Sequence, residues 1–153
     1  MHSLFLRLFT YDLWANCRVH ASLVELNEPP AKAVEWLGHI LHAQQFVFEV
    51  LNGRDGSYLS DAPDLTFAEC CEWIERLGKQ WPEYLAAHPE EELAGEIEFR
   101  NSRSDPDKRK IADLLMHAVN HSTYHRAQIA LAVREVGGTQ ARTDFTVFAR
   151  ETA

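Results

Sequence analysis

The hydrophobic positions in the first third of the chain repeat with the period of a helix. Residues 3–27 contain no glycine or proline and place apolar side chains three or four residues apart, which is typical of a long amphipathic helix. Pro29 and Pro30 end this helix and suit the first turn of the next one. The second helix is therefore expected from about Ala31 to Leu51.

A third helix follows a polar loop at residues 54–63. Thr66 is the expected N-cap, and Glu69, three residues later, completes the pattern of a capping box. The apolar periodicity then continues to about Ala87, which a histidine and a proline follow. The third helix is expected to end there.

Residues 90–105 break the helical pattern. Glu96–Arg100 alternates polar and apolar residues, which predicts a short β-like segment. Asp105 and Pro106 are interpreted as the N-cap and first turn of a fourth helix, which continues to Val136 and stops at two glycines.

These elements predict an all-α four-helix bundle with one long crossover before the last helix. A short ordered segment at residues 144–150 is expected to pack on the bundle. The chain has 153 residues, the length of one domain, and shows no repeat, low-complexity tract or linker. The whole chain, 1–153, is therefore predicted to be a single domain.

The charge balance argues against nucleic acid as a partner. There are 15 basic and 23 acidic side chains, which give a net charge of −8, and binding to phosphate backbones needs a basic surface. The one basic cluster, Lys108–Lys110, lies beside Asp105 and Asp107. We interpret this cluster as a solvated helix start.

The cysteines and the hydropathy pattern favour a cytoplasmic protein. Cys17, Cys70 and Cys71 are odd in number and lack a CxxC spacing, so a disulfide scaffold is not expected. Cys17 is expected in the core, as a small apolar side chain. No apolar run reaches the ~20 residues that a membrane span needs, and no signal peptide is recognised at the N-terminus.

Three histidines follow one another at intervals of four residues in the fourth helix. With about 100° per residue, His125 projects within about 40° of the centre of the apolar stripe, His121 lies at its edge, and His117 lies further out. His117 and His125 are about 12 Å apart along the axis, too far for one ion to bind both. The pair that can share an ion on the inner face is His121 and His125.

The second helix offers a third ligand. His42 points almost directly away from the apolar stripe of that helix, whereas His39 lies on its flank. His39, His121 and His125 therefore predict a site for one divalent metal ion. The alternative is three separate, partly buried histidines with ordinary hydrogen bonds.

Four blocks of the sequence resemble the DinB/YfiT-like family, and together they span nearly the whole chain. They are Tyr11–Asn16 (YDLWAN), Leu37–Leu41 (LGHIL), His117–Ile129 (HAVNHSTYHRAQI) and Thr143–Phe145 (TDF). The third block is the most specific. This chain departs from the family in having alanine where glycine usually follows His-Arg, and phenylalanine where leucine usually follows the aspartate of the last block.

The resemblance implies an up-down-down-up bundle that often forms a homodimer. It also implies a divalent ion, such as zinc, nickel or manganese, bound by one histidine of the second helix and an HxxxH pair of the fourth. In this chain those positions are His39, His121 and His125.

Three neutral imidazoles would leave a metal its full charge and an open coordination position, as in catalytic zinc sites. Such a site can activate water or a thiol or polarise a carbonyl group. The glutamate of an HExxH motif is missing, so a zinc peptidase is not expected. Asp12, Glu49 and Tyr124 are the candidates for a general base.

The resemblance also indicates a class of reaction. The wider superfamily includes isomerases and S-transferases that use a low-molecular-weight thiol. The resemblance therefore predicts a metal-dependent enzyme that acts on a small electrophile. A hydrolase-like reaction is the other type of activity considered. The alternative is a non-catalytic metal- or ligand-binding bundle related to the damage-inducible stress response.

Overall fold

The four long helices predicted from the apolar periodicity are present in the computed structural model, which describes all 153 residues. The chain is mostly helical, with one small sheet. In chain order the elements are α1 (His2–Val24), α2 (Ala31–Leu51), a 3-10 helix (Ser57–Ser60), α3 (Phe67–Ala87), α4 (Glu90–Leu93), β1 (Glu96–Arg100), β2 (Pro106–Lys110), α5 (Ile111–Glu135) and α6 (Phe145–Glu151).

The core lies between α1, α2, α3 and α5. α2 packs against α5 and α3, and α1 packs against the same two helices. The largest fully buried side chains are aliphatic and come from all four helices, for example Leu23, Ile40, Leu85 and Leu115. Burial of these apolar faces is the main favourable contribution to folding. None of the helices is both long and apolar enough to cross a membrane.

The helix boundaries follow the local signals in the sequence. α2 begins directly after the two prolines, with Pro30 as its N-cap residue. The predicted capping box of α3 is confirmed: the Thr66 hydroxyl accepts a hydrogen bond from the Glu69 backbone N–H, and the Glu69 carboxylate accepts one from the Thr66 backbone N–H. The predicted segment near the C-terminus is the short helix α6.

The prediction for the start of the last long helix was wrong. Asp105 and Pro106 do not begin it; residues Pro106–Lys110 form β2, which pairs antiparallel with β1, and α5 begins at Ile111. The basic cluster Lys108–Lys110 is thus in a strand.

Charge complementarity explains the pairing of these strands. Two glutamates of β1 face two lysines of β2, Glu96 opposite Lys110 and Glu98 opposite Lys108, and Lys108 Nζ also lies 2.8 Å from a Glu96 carboxylate oxygen. Opposite charges across two strands stabilise an antiparallel pair. Proline is tolerated as the first residue of a strand, where no ladder hydrogen bond is needed from it.

All three cysteines have free thiols. Cys70 is fully buried in α3, whereas Cys17 and Cys71 are exposed. The expectation that Cys17 lies in the core was therefore wrong: the buried positions around it in α1 are Ala15, Asn16 and Val19, and Cys17 falls between them on the outer side of the helix.

Candidate metal centre

Three histidines from two helices meet at the contact between α2 and α5. His39 of α2 and His121 and His125 of α5 each place a ring nitrogen within 4.8 Å of the others. The nearest pair is His121 Nε2 and His39 Nε2, at 3.0 Å. The ring centroids of His39 and His125 are 4.6 Å apart, and those of His121 and His125 are 4.4 Å apart. The structure thus brings together the three histidines that the sequence pattern selected.

Exposure changes steadily across this cluster. His125 is 6% exposed, His121 is half-buried, and His39 is exposed. The cluster therefore lies at the surface edge of the contact between α2 and α5, with His125 at its inner end. A ligand can reach the cluster from the side of His39 and His121.

The electrostatics of the cluster favour neutral imidazoles. Burial, to which the neighbouring His125, His39 and His117 add, lowers the pKa of His121 to about 4. Burial also lowers the pKa of His39, and His125 adds to this effect. A neutral imidazole carries the lone pair that a metal ion needs, so His39 and His121 need lose no proton near neutral pH before binding.

Two further side chains orient His125, and neither was selected from the sequence. His125 Nδ1 lies 2.5 Å from Gln128 Oε1; because an amide oxygen only accepts, Nδ1 donates, and Nε2 keeps the free lone pair. The ring of Trp36 stacks on His125 with centroids 4.7 Å apart. Outer partners of this kind fix the tautomer and orientation of metal-binding histidines. The sequence contained one indication of the contact with Gln128: residues three apart in a helix, such as His125 and Gln128, lie on the same face.

Replacing Gln128 with methionine is expected to weaken zinc binding by about 10–100-fold, the usual cost of losing such an outer partner. The side chain keeps its size, but Nδ1 of His125 loses its acceptor and the ring can turn or change tautomer. Competition with a chromophoric chelator measures the affinity.

The matched control for this variant is Gln80→Met, since Gln80 is also half-buried but lies on α3, a helix that carries none of the three histidines. Equal zinc affinity in Gln128→Met and the unaltered protein would show that the hydrogen bond to His125 has no role in the site.

The remaining histidines of the two helices lie outside the cluster. His117 is exposed, with its ring centroid 5.2 Å from that of His121, and it is not part of the three-histidine group. His42 is half-buried and packs edge-on against Trp73, and burial lowers its pKa. Both nevertheless line a cleft that opens beside the cluster.

The three side chains considered as general bases do not line this cleft. Asp12 is buried in an ion pair with Arg126, at 2.6 Å. Glu49 forms an ion pair with Arg54; burial acts to raise the pKa of Glu49, but Arg54, Gln45 and Arg76 together lower it. Tyr124 is 66% exposed, and its ring lies nearly perpendicular to that of His125, with centroids 5.0 Å apart.

A cleft of about 780 Å³ opens beside the histidines. This volume is in the range of small-molecule binding sites, which is about 300–1,000 Å³. Its walls come from α2, the segment around the 3-10 helix, the β-hairpin and α5. They carry apolar residues (Phe46, Val47, Leu59, Phe99, Leu114), polar or charged residues (Asp64, Asp107, Arg109, Asp113), and four histidines (His39, His42, His117, His121).

The donor set fits a divalent transition metal. A tetrahedral zinc ion with Zn–N bonds of about 2.0–2.1 Å keeps its ligand nitrogens roughly 3.3 Å apart. The 3.0 Å between His121 and His39 is close to this value, and the 4.8 Å limit of the whole group requires only small side-chain movements. Imidazole ligands suit zinc, nickel and copper, whereas calcium and magnesium prefer oxygen.

Fold and site together define a mostly helical protein with a three-histidine cluster at a helix–helix contact, and comparisons with known proteins identify its family. The sequence model of the DinB family matches residues 24–153. The chain is also 30% identical over 162 aligned positions to Protein DinB of Bacillus subtilis (strain 168), and the alignment covers 93% of this chain and 91% of that protein. The chain belongs to the DinB family.

Proposed function

We propose that the protein binds one divalent metal ion through His39, His121 and His125 and catalyses the transfer of a small thiol to an electrophile. The observation that carries this proposal is the position of the cluster, which opens into a cleft of about 780 Å³. A structural metal site is closed by a fourth protein ligand, whereas a catalytic site keeps a position open. The cluster offers three histidines and no fourth ligand.

The cleft supports a small amphipathic substrate. Phe46, Phe99 and Leu114 give it an apolar lining, while Asp64 and Asp113 are carboxylates of its wall for which the structure shows no ion-pair partner. Apolar walls hold the body of a ligand and a few polar groups orient it. The substrates are therefore small molecules with an apolar part.

The reaction consists of one substitution. A carbon–sulfur bond forms between the thiol and the electrophile, the bond from that carbon to the leaving group breaks, and the thiol proton is released. A bound ion would lower the pKa of the thiol. His39 and His121 line the cleft where the ion would be bound, and the two remaining histidines of its lining, His42 and His117, are the side chains to test as proton acceptors.

The test uses protein loaded with zinc, nickel or manganese and a chromogenic electrophile such as chlorodinitrobenzene. Cysteamine, mercaptoethanol and mercaptopropionate serve as thiols of different charge. We expect thioether formation with the metal-loaded protein and only the background rate with metal-free protein and with the His121→Ala variant.

The alternative function is a non-catalytic metal- or ligand-binding protein, and the same experiment separates the two. Metal binding with no acceleration for any thiol and electrophile would contradict the enzyme and favour the binding protein. Absence of metal binding after exposure to all three ions would contradict the enzyme and the metal-binding protein, and would leave only a protein that binds an organic ligand.

We also propose that residues 1–153 form one four-helix bundle with up-down-down-up order. Trp36 lies beside His125, and His39, one turn later in α2, lies beside His121, one turn earlier in α5, which supports opposite directions for these helices. Other ring contacts support opposite directions for α1 and α3 and the same direction for α2 and α3. These contacts are Phe9 with Trp81, His20 with Phe67, His42 with Trp73, and Phe48 with Tyr84.

We further propose that the protein works as a homodimer in the cytoplasm. The large apolar side chains of Met116, Tyr124 and Leu131 are exposed on α5 and support a contact with a second copy. The three free thiols support a reducing compartment. Sedimentation velocity measures whether the mass is 17.5 kDa or twice that value.

A further inference from the structure

A group of polar side chains is enclosed in the apolar core next to the histidine cluster. It consists of Asp12 and Asn16 of α1, Gln44 of α2, and Ser122 and Arg126 of α5, and each of these residues is 3% exposed or less. We call these five residues the polar core network. Buried polar groups are costly unless they are hydrogen-bonded, so their partners determine whether the network can stand.

Hydrogen bonds join the polar core network across three helices. Arg126 Nη1 donates to Asp12 Oδ1 at 2.6 Å and to Asn16 Oδ1 at 2.9 Å. Gln44 Nε2 donates to Ser122 Oγ at 3.0 Å and also to the Asp12 carboxylate. The Asp12 carboxylate thus binds α5 directly through Arg126 and binds α2 through Gln44.

The network is adjacent to the histidine cluster in both sequence and space. Ser122 directly follows His121, and Arg126 directly follows His125. Each residue turns a helix by about 100°, so the orientation of Ser122 and Arg126 towards the core determines the direction in which the preceding residues, His121 and His125, project. On α2, Gln44 lies five residues after His39 and fixes the rotation of that helix against the same partners.

The energetics distinguish positioning from simple stabilisation. Replacing a buried ion pair by apolar residues of similar volume is often neutral or stabilising, so such a pair is weak evidence for a stability role. Apolar packing is not directional, whereas a network of hydrogen bonds holds one arrangement. The burial of Asp12 opposes its use as a proton acceptor for a ligand in the cleft.

We propose that the polar core network is a positioning device, which sets the rotation of α5 against α2 so that His121 and His125 face His39. The proposal rests on the metal site proposed above. It makes Asp12, Gln44, Ser122 and Arg126 determinants of metal affinity although none of them belongs to the three-histidine group.

The experiment removes both charges together, in Asp12→Leu/Arg126→Met, and uses Co²⁺ as a visible probe of the site. The double variant is expected to keep its helical circular dichroism, to bind Co²⁺ about 10–100-fold more weakly, as for loss of other outer partners, and to show an altered visible spectrum of the bound ion. A merely structural role would leave that spectrum unchanged.

The matched control is Leu77→Ala, a cavity in the core face of α3, which carries none of the three histidines. This variant is expected to unfold at lower denaturant concentration but to bind Co²⁺ with the affinity and spectrum of the unaltered protein. Ser122→Ala is a milder test, because both charges stay. It removes the acceptor of the Gln44 hydrogen bond and the bond that the Ser122 hydroxyl donates to the Ala118 carbonyl oxygen within α5. A smaller loss of affinity is expected, about threefold, as for one hydrogen bond between helices.

Each result decides the proposal. Unchanged Co²⁺ affinity and spectrum in the double variant would overturn it. If the double variant does not fold, Ser122→Ala decides, and unchanged affinity there overturns the proposal. If the unaltered protein binds no Co²⁺, both the proposed metal site and the positioning role are wrong. If the unaltered protein binds Co²⁺ and the variants bind it equally well, only the positioning role is wrong.

Discussion

Zinc affinity is expected to fall by roughly 100-fold when His39, His121 or His125 is replaced by alanine. The free energy of zinc binding to structural sites with four ligands is about 10–16 kcal/mol, which corresponds to about 3 kcal/mol per ligand. Since 1.4 kcal/mol corresponds to about a tenfold change, the loss of one ligand of three is large. Isothermal titration of zinc into each variant measures the effect.

His117→Ala and His42→Ala are the matched controls, since both residues are histidines of the same two helices. Each is expected to bind zinc within about threefold of the unaltered protein, because neither belongs to the three-histidine group. If His117→Ala is as damaging as His125→Ala, the pair in α5 is His117 and His121 instead. Equal affinities in all five variants would mean that the cluster holds no metal.

The single variant Arg126→Met is expected to lower the free energy of unfolding by about 3–5 kcal/mol. Arg126 is buried, and burial alone would lower its pKa, but the Asp12 carboxylate, through its charge and its hydrogen bond, and Tyr11 together raise it. Removing the guanidinium leaves that carboxylate buried without its counter-charge. A loss of this size is a large part of the about 5–15 kcal/mol that stabilises a typical domain. Urea unfolding followed by circular dichroism measures it.

Two comparisons make this second prediction specific. Arg18→Met also removes an arginine from an ion pair, with Glu151, but both side chains of that pair are solvent-exposed, so a change within about 1 kcal/mol is expected. Asp12→Leu/Arg126→Met is expected to recover most of the stability lost in the single variant, because no unpaired charge remains. A single variant as stable as the unaltered protein would contradict the account.

Local periodicity was sufficient to predict the long helices and the three histidines that meet. Helix boundaries follow from short-range signals such as Pro30 and the capping box at Thr66. The direction of a side chain follows from its angular position on its own helix, which separated His121 and His125 from His117. Whether the cluster binds a metal ion stays a prediction.

The features that were missed depend on contacts between distant segments. β2 forms because its lysines face the glutamates of β1, whereas taken alone Asp-Pro followed by charged residues is a reasonable helix start. Trp36 stacks on His125 only through the relative height of two helices. The partners of Asp12, and thus its role, require three helices to be placed at once.

The β-hairpin formed by β1 and β2 shapes the cleft but is not one of the four packed helices. Phe99 and Arg109 line the cleft, but the hairpin lies outside the four packed helices and is tied to the start of α5 by the hydrogen bond from Ile111 N to Gly95 O, at 3.0 Å. A two-stranded hairpin contributes little stability by itself. Apart from Ile97 and Phe99, which pack against the core, its sequence can therefore change during evolution at little cost to folding. Relatives with the same histidines could in this way come to bind different small molecules.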